Sequence, residues 1–414
     1  MLLSALMLPA TAHLLDIDDY GARRNDSSEP AIRANIKAFN LALADAKPSD
    51  TVLISAGKSA YTFRGSILAT NLFNVSLQID GNIVLDDTIK AWPAPSSGMR
   101  PPPWFYLFNS SHIIVSGAGE IDGQGLRWWD ASITGSVAGL GERRPNIFLF
   151  DHVSDLLLER LTLRNSPHFH VKFNQCARVI VRYLTIDVDR FAQRRLKARA
   201  HAQRLTSAGL LNHSAATALT QRLYSSGNFY GVDALVHGAQ GRPGEHERPG
   251  EHGTLGGLLD WLFDQAVKLL PAWALQPEDL NTDGIDPNGI DFHVHDCIIS
   301  NDDDSIAVKP SDGKGDVASC SRNMLFENLV LTGCAHAALS ARAHSAQAHF
   351  HVFSAAHRFA TPANTHTQVR RVDWVGPAET GHCLRAQHYL SQHLDARHRQ
   401  GDLHQVQPIV RSRL

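Results

Sequence analysis

The 414-residue sequence has no apolar run long enough to cross a bilayer, so nothing in it reads as a membrane-spanning helix. It also lacks a charge excess. Lys plus Arg number 39 against 41 Asp plus Glu, a formal net charge of -2. No broad basic face is available for nucleic acid or for an anionic membrane surface, and neither is expected as a partner. Cysteine is scarce. The five are Cys176, Cys297, Cys320, Cys334 and Cys383. None has zinc-ligand spacing, so buried thiols are the simpler reading; no metal and no cofactor are expected. An odd count leaves at least one thiol unpaired if the chain is exported. Cys320 and Cys334 could close one local loop, but connectivity is not readable from sequence. The length is ample for one large core or for two domains. A monomer is expected.

The opening residues, MLLSALMLPATA, are apolar and end in Ala10-Thr11-Ala12. They lack a basic first segment, yet the small residues fit a cleavage site. Residues 1–12 therefore read as a signal peptide, and the chain is expected to be secreted. Asn-x-Ser sequons at Asn25, Asn74, Asn109 and Asn212 suit an extracellular surface.

From Leu72 onward one phrase recurs: an apolar alternation, a bend, a second alternation, then polar or Gly residues. It appears as LFNVSLQIDG from Leu72, SSHIIVSGAGEIDGQG from Ser110, VSDLLLERLTLRNSP from Val153 and CARVIVRYLTIDVD from Cys176. It returns as GIDFHVHDCIISNDDDSIAVKP from Gly289 and SRNMLFENLVLTG from Ser321. Period-two alternation means a strand with one buried face. Such a pair cannot bury that face alone, but stacked copies form one continuous core. A β-sandwich also has short strands and turns. Recurrence of the whole phrase favours an all-β, right-handed parallel β-helix. Upstream, IRANIKAFNLALADA has helical apolar spacing at Ile32, Ile36, Phe39 and Leu43. A helix there would cap the open end of the solenoid, and TVLISAG from Thr51 reads as the strand that follows.

Two stretches break the pattern. Val179 and Phe292 are equivalent points of successive phrases, yet far more than one coil separates them. The excess is residues 190–276. RFAQRRLKARAHAQRL is basic and helix-compatible, RPGEHERPGEHG is a tandem polar repeat, and GGLLDWLFDQAVKLL has an amphipathic pattern. An inserted lobe and the read-through of an unspliced intron both fit; the lack of a strand phrase favours the second. Residues 335–414 lose the phrase and are rich in Ala, His and Arg. His349-Phe350-His351 invites a metal reading, but no ligand spacing repeats. The solenoid that carries the site is thus expected at 13–189 and 277–334. The atypical tail should leave the apolar end near Leu325, Leu329 and Leu331 poorly covered.

The most informative stretch is NTDGIDPNGIDFHVHDCIISNDDDSIAVKP, Asn281 to Pro310. Asp283 precedes Asp303 and Asp304 by about one coil, and stacked strands lie roughly 4.7–4.9 Å apart. Like charges that close raise at least one pKa, which separates an acid from a base. Glycoside hydrolysis needs such a pair: one carboxyl protonates the leaving oxygen and another activates water. Turn capping and Ca²⁺ binding are the simpler uses of an Asp run.

These residues resemble glycoside hydrolase family 28, the polygalacturonases and their rhamnogalacturonan- and xylogalacturonan-cleaving relatives. Asn281-Thr282-Asp283 resembles the family's NTD motif, and Asp302-Asp303-Asp304-Ser305 with Ile306-Ala307-Val308-Lys309 its GDDC segment and following strand. DYGA at Asp19–Ala22, EIDGQGLRWW from Glu120, RRPNIFLF from Arg143 and LRNSPHFHV from Leu163 match further upstream. The likeness covers roughly residues 15–189 and 277–333.

The resemblance implies a secreted hydrolase of galacturonan-type pectin or a related acidic polysaccharide, working by inversion. Asp303 would be the general acid; Asp283 and Asp304 would hold and deprotonate water. Asn281 and Lys309 would contact sugar, and Asp286 would be an indifferent neighbour. Asp302 replaces the usual Gly, and Ser305 the usual Cys. The GHG and RIK motifs expected downstream have no convincing counterpart; Cys334-Ala335-His336-Ala337 stands near the place of the first. A catalytically inactive carbohydrate-binding or defective family member, and a pectate lyase on the same fold, are the competing readings.

Overall fold

The computed structural model describes residues 11–93, 101–137, 140, 143–225, 280–309, 321–332, 338–343, 346–351, 360–361 and 364–374. Residues 1–10 of the expected signal peptide at 1–12, the insert beyond residue 225, and Cys320, Cys334 and Cys383 lie outside them.

Each coil contributes three short strands, and equivalent strands of successive coils pair in parallel. The first face stacks Ser76–Ile79, Ser111–Ser116, Ser154–Glu159, Cys176–Arg182 and Gly289–His295. The second stacks Ile83–Leu85, Glu120–Asp122, Thr162–Arg164, Thr185–Asp187 and Ile298–Ser300. The third stacks Ile67–Thr70, Phe105–Phe108, Phe148–Asp151, Val171–Asn174, Ile285–Asp286 and Ile306–Val308. This is a right-handed parallel β-helix with an N-terminal helical cap.

The alternation read from sequence is the alternation that packs. Ile113, Leu156, Val179, Phe292 and Met324 stand in one register and are all buried. Ile121, Leu163, Ile186, Ile299 and Leu331 form a second buried column. On the third face Phe150 stacks on Phe173 at 5.3 Å, and Phe173 meets Phe292 edge-on at 5.2 Å. The first face bends at one residue per coil. His112, Asp155, Arg178, Asp291 and Asn323 share a left-handed backbone, φ between 54° and 61°. Short polar side chains tolerate that region best. Gly289 has φ +133°, and a Cβ there would lie 1.9 Å from the Cys176 carbonyl oxygen of the preceding coil. Only glycine lets the coil after the insert sit down on the coil before it.

Helix α1, Glu29–Asp45, closes the N-terminal end as expected. Ser28 caps it and Pro30 sits in its first turn. Ile32, Phe39 and Leu43 are buried, and Ile36 packs at the margin. Phe39 reaches the rings of Phe63, Trp104 and Phe105 at 5.9–6.3 Å. At the other end the expectation of a bare core is not met. The long strand Arg322–Thr332 pairs antiparallel with Asn364–Trp374, Leu329 and Leu331 are buried, and Leu325 is half-buried. Ala338–Ala343 continues the third face by one more parallel strand. An end coil has unpaired N–H and C=O groups, and a reversed strand satisfies them without continuing the stack.

The turn from the second face to the third is the variable one. It holds helix α2, Leu126–Thr134, in one coil and a short bend at 165–170 in the next. In the third coil it holds the insert, which begins as helix α3, Arg190–Ser207, followed by α4, His213–Ser225. The coils on either side still pair directly, Cys176↔Gly289 and Thr185↔Ile298.

Candidate active site

The acidic residues sit at this same turn. Asn281, Thr282 and Asp283 lead into strand Ile285–Asp286; Asp302, Asp303 and Asp304 lead into Ile306–Val308. Ile285 is in register with Ile306, and Gly284 N–H donates to the Asp304 carbonyl at 2.9 Å. Asp283 is thereby stacked on Asp304. One oxygen of each of Asp283, Asp303 and Asp304 lies within 4.8 Å of the others. The three residues singled out from sequence converge.

Their environments differ. Asp283 is 2% exposed, while Asp303 and Asp304 are half-buried. Asp303 is fixed through both oxygens: Oδ1 accepts from Asp304 N–H at 2.8 Å and Oδ2 from Thr282 N–H at 3.3 Å. Asn281 is buried with a left-handed backbone, φ 44°. An oxygen set this close can share a water or take a hard cation.

Lys309 turns inward. Its Nζ donates to Asp283 Oδ2 at 2.7 Å, stands 3.2 Å from Asp286 Oδ2, and lies 4.7 Å over the Phe169 ring. The Asp286 distance is that of an ion pair, without the angle of a hydrogen bond. Asp286, expected to be indifferent, is fully buried and belongs to this group. Burial, then the negative charge of Asp286, raises the Asp283 carboxyl above the ordinary range against the pull of Lys309. Burial raises Asp286 as well, again against Lys309. Burial alone would lower Lys309, but the two carboxylates outweigh it and hold the ammonium charged. Two buried carboxyls sharing one ammonium ionise one after the other.

Groups raised above their unfolded values stabilise the fold below about pH 4, and that stability is lost as pH rises through the raised folded values. Asp286→Asn should flatten this slope. Urea midpoints at roughly pH 5 and pH 7.5 should differ less in the variant than in the parent chain. An unchanged difference would mean that the pair does not titrate as a unit.

Sequence reasoning missed the frame around these carboxylates. Asn301 is fully buried; its Nδ2 donates to the carbonyls of Thr282 at 3.2 Å and Asp304 at 3.0 Å, tying the two acidic turns together. Ser305, in the place of the usual Cys, donates to Asn301 Oδ1 at 3.3 Å. His170 lies below: Nδ1 donates to the Asp283 carbonyl at 3.0 Å and Nε2 accepts from Ser166 N–H at 3.3 Å. Burial pushes its imidazole down to about 4, so it stays neutral in this role. An Asn two residues before a DD pair was the only signal available for Asn301.

Residues 55–193 match the sequence profile of glycosyl hydrolases family 28, a stretch that ends before Asp283. A polygalacturonase of Chamaecyparis obtusa is 28% identical over 186 residues, 43% of this chain and 34% of that protein. One from Juniperus ashei is 29% identical over 183 residues, 43% and 34% of the two chains. The chain spans about a third of the length of these curated relatives. Among solved structures, the polygalacturonase from Erwinia carotovora ssp. carotovora aligns at 19% identity and TM-score 0.45, over 76% of this chain and 62% of that one. The family 28 exopolygalacturonase of Yersinia enterocolitica aligns at 14% identity and TM-score 0.47, over 77% and 49%. The likeness of this chain to glycosyl hydrolases family 28 lies over residues 55–193.

Proposed function

We propose that the protein hydrolyses glycosidic bonds in galacturonan-type pectin or a related acidic polysaccharide, with Asp303 as general acid and Asp283 and Asp304 holding the attacking water. One observation carries the reading: three carboxylates from two stacked coils meet within 4.8 Å, one buried and two half-buried. The names of the relatives above support the substrate class. The oxygens stand closer than the roughly 6.5–9.5 Å between carboxyls of an inverting pair. Inversion is nevertheless the reading, because Asp283 is buried and bonded to Lys309 through Oδ2. A carboxylate so placed can orient water but cannot advance onto a sugar carbon. Secretion fits the exposure of Asn25, Asn74, Asn109 and Asn212.

The test is release of reducing ends from polygalacturonate, with the first-formed product read by NMR. The expected product is saturated, of opposite anomeric configuration to the bond cleaved, and formed equally well in the presence of a chelator. Unsaturated ends lost on chelation would mean a lyase. No product from the folded chain would favour the inactive carbohydrate-binding reading.

A further inference from the structure

Two departures from the expected sequence pattern meet in space. One is the insert; the other is Asp302, where a Gly was expected. Arg194 of helix α3 grips Asp302 with both arms of its guanidinium, Nε to Oδ2 at 2.5 Å and Nη2 to Oδ1 at 2.7 Å. The side chains are 20% and 11% exposed, so the pair is largely out of water. Gln193, fully buried beside it, donates from Nε2 to Thr282 Oγ1 at 3.2 Å. Thr282 in turn donates its N–H to Asp303. One turn of α3 therefore touches both acidic turns, next to Asp283 on one and next to Asp303 on the other.

The base of the helix is fixed independently. Asp189 caps it, its side chain accepting from Ala192 N–H at 2.9 Å, and Asp189 N–H donates to Asn165 Oδ1 at 2.8 Å. Trp129 of α2, Val188 and Leu280 form a buried apolar cluster with Leu196 packed against it. Trp129 Nε1 also donates to the Ser166 carbonyl at 3.1 Å. The insert thus leaves the solenoid inside the acidic turn and leans back on it.

We propose that α3 is a built wall against the two acidic turns, and that Arg194 is a positioning residue acting through Asp302 on the 301–304 turn that presents Asp303 and Asp304. A glycine at 302 would leave that turn free; an aspartate held bidentately by an external arginine locks it. Lysine, a point charge on a flexible stem, does not reproduce a two-armed grip. The catalytic half of this inference rests on the hydrolase reading; the positioning half does not.

The test uses the full chain with Arg194→Ala, Arg194→Lys, Asp302→Asn and the double variant Arg194→Ala/Asp302→Asn. Hydrogen–deuterium exchange reports the 301–304 turn and α3 directly. Arg194→Ala should speed exchange in both segments about ten- to a hundredfold, the scale of losing charged hydrogen bonds. The double variant should restore protection at 301–304, because no unpaired carboxylate remains, while α3 stays loosened. Arg194→Lys should recover only part, and serves as the readout if Arg194→Ala does not fold. On polygalacturonate, Arg194→Ala should lower kcat by about tenfold or more with KM little changed, and the double variant should recover part of it. Unchanged exchange at 301–304 in both Arg194 variants, or effects of the two sites that simply add, would overturn the proposal. So would a raised KM with normal exchange, which would make Arg194 a substrate contact. Coupled exchange in a parent chain that releases no reducing ends would keep the wall and remove the hydrolase reading.

Discussion

Asp303→Asn should lower the release of reducing ends from polygalacturonate by about 10²–10⁴-fold, the worth of a positioned general acid. The fold should barely respond. Asp303 accepts two backbone N–H groups, from Asp304 and Thr282, and an Asn can accept only one of them through its single oxygen. That loss costs about 1 kcal/mol. Near-wild-type circular dichroism with a collapsed rate is therefore the expected pair of results. Asp286 is not the right control, since it lies buried against Lys309. Asp155→Asn is better: it pairs with Arg178 on the first face and has a left-handed backbone that Asn adopts readily. Its rate should match the parent chain. If Asp303→Asn also matched it, the assignment of the acid would be wrong.

Lys309→Met should destabilise the protein by about 3 kcal/mol or more near neutral pH, because it leaves the negative charge shared by the buried Asp283–Asp286 pair without its counter-charge. Methionine keeps the length and the contact with the Phe169 face, so the change isolates the charge. The loss should shrink on acidification. With the ammonium gone, the Asp283 and Asp286 carboxyls rise further, and the fold recovers as both protonate on the way down toward about pH 4. Urea unfolding at two pH values measures this. A deficit of equal size at both would show that Lys309 contributes packing rather than charge.

Much of this fold was legible because a parallel β-helix repeats its own reasons. Val179 and Phe292, matched by phrase alone across the insert, are direct partners in the sheet. The spacing of Asp283 from Asp304 likewise became a one-coil stack, because register is set by alternation and not by what the turn contains. Lys309 could not be placed the same way. As the residue ending a strand it had two directions open, and the choice fell inward because Asp283 and Asp286 are buried there with no other cation bonded to them among the described contacts. Asp286 stands on a two-residue strand whose both sides are covered, a depth that period-two reasoning does not contain. The grip of Arg194 on Asp302 joins positions 108 apart in sequence, with no pattern connecting them. The tail illustrates another limit: its text had lost the solenoid phrase, and its strand Asn364–Trp374 runs against the stack, where the phrase is not required.

The turn that receives the insert has a consequence for how such a chain can change over time. Its two ends, Val188 and Leu280, are held in one apolar cluster, and the strands beyond them pair as if nothing intervened. Closing a loop costs only about 0.6 kcal/mol for each doubling of its length, so a segment many times longer than the neighbouring bend adds a few kcal/mol at most. The core does not register what is placed there, while Asp283, three residues past Leu280, and the two acids stacked beside it do. This position behaves as a socket: the solenoid accepts a long segment in it at small cost in loop closure, and each exchange re-shapes the approach to the same three acids.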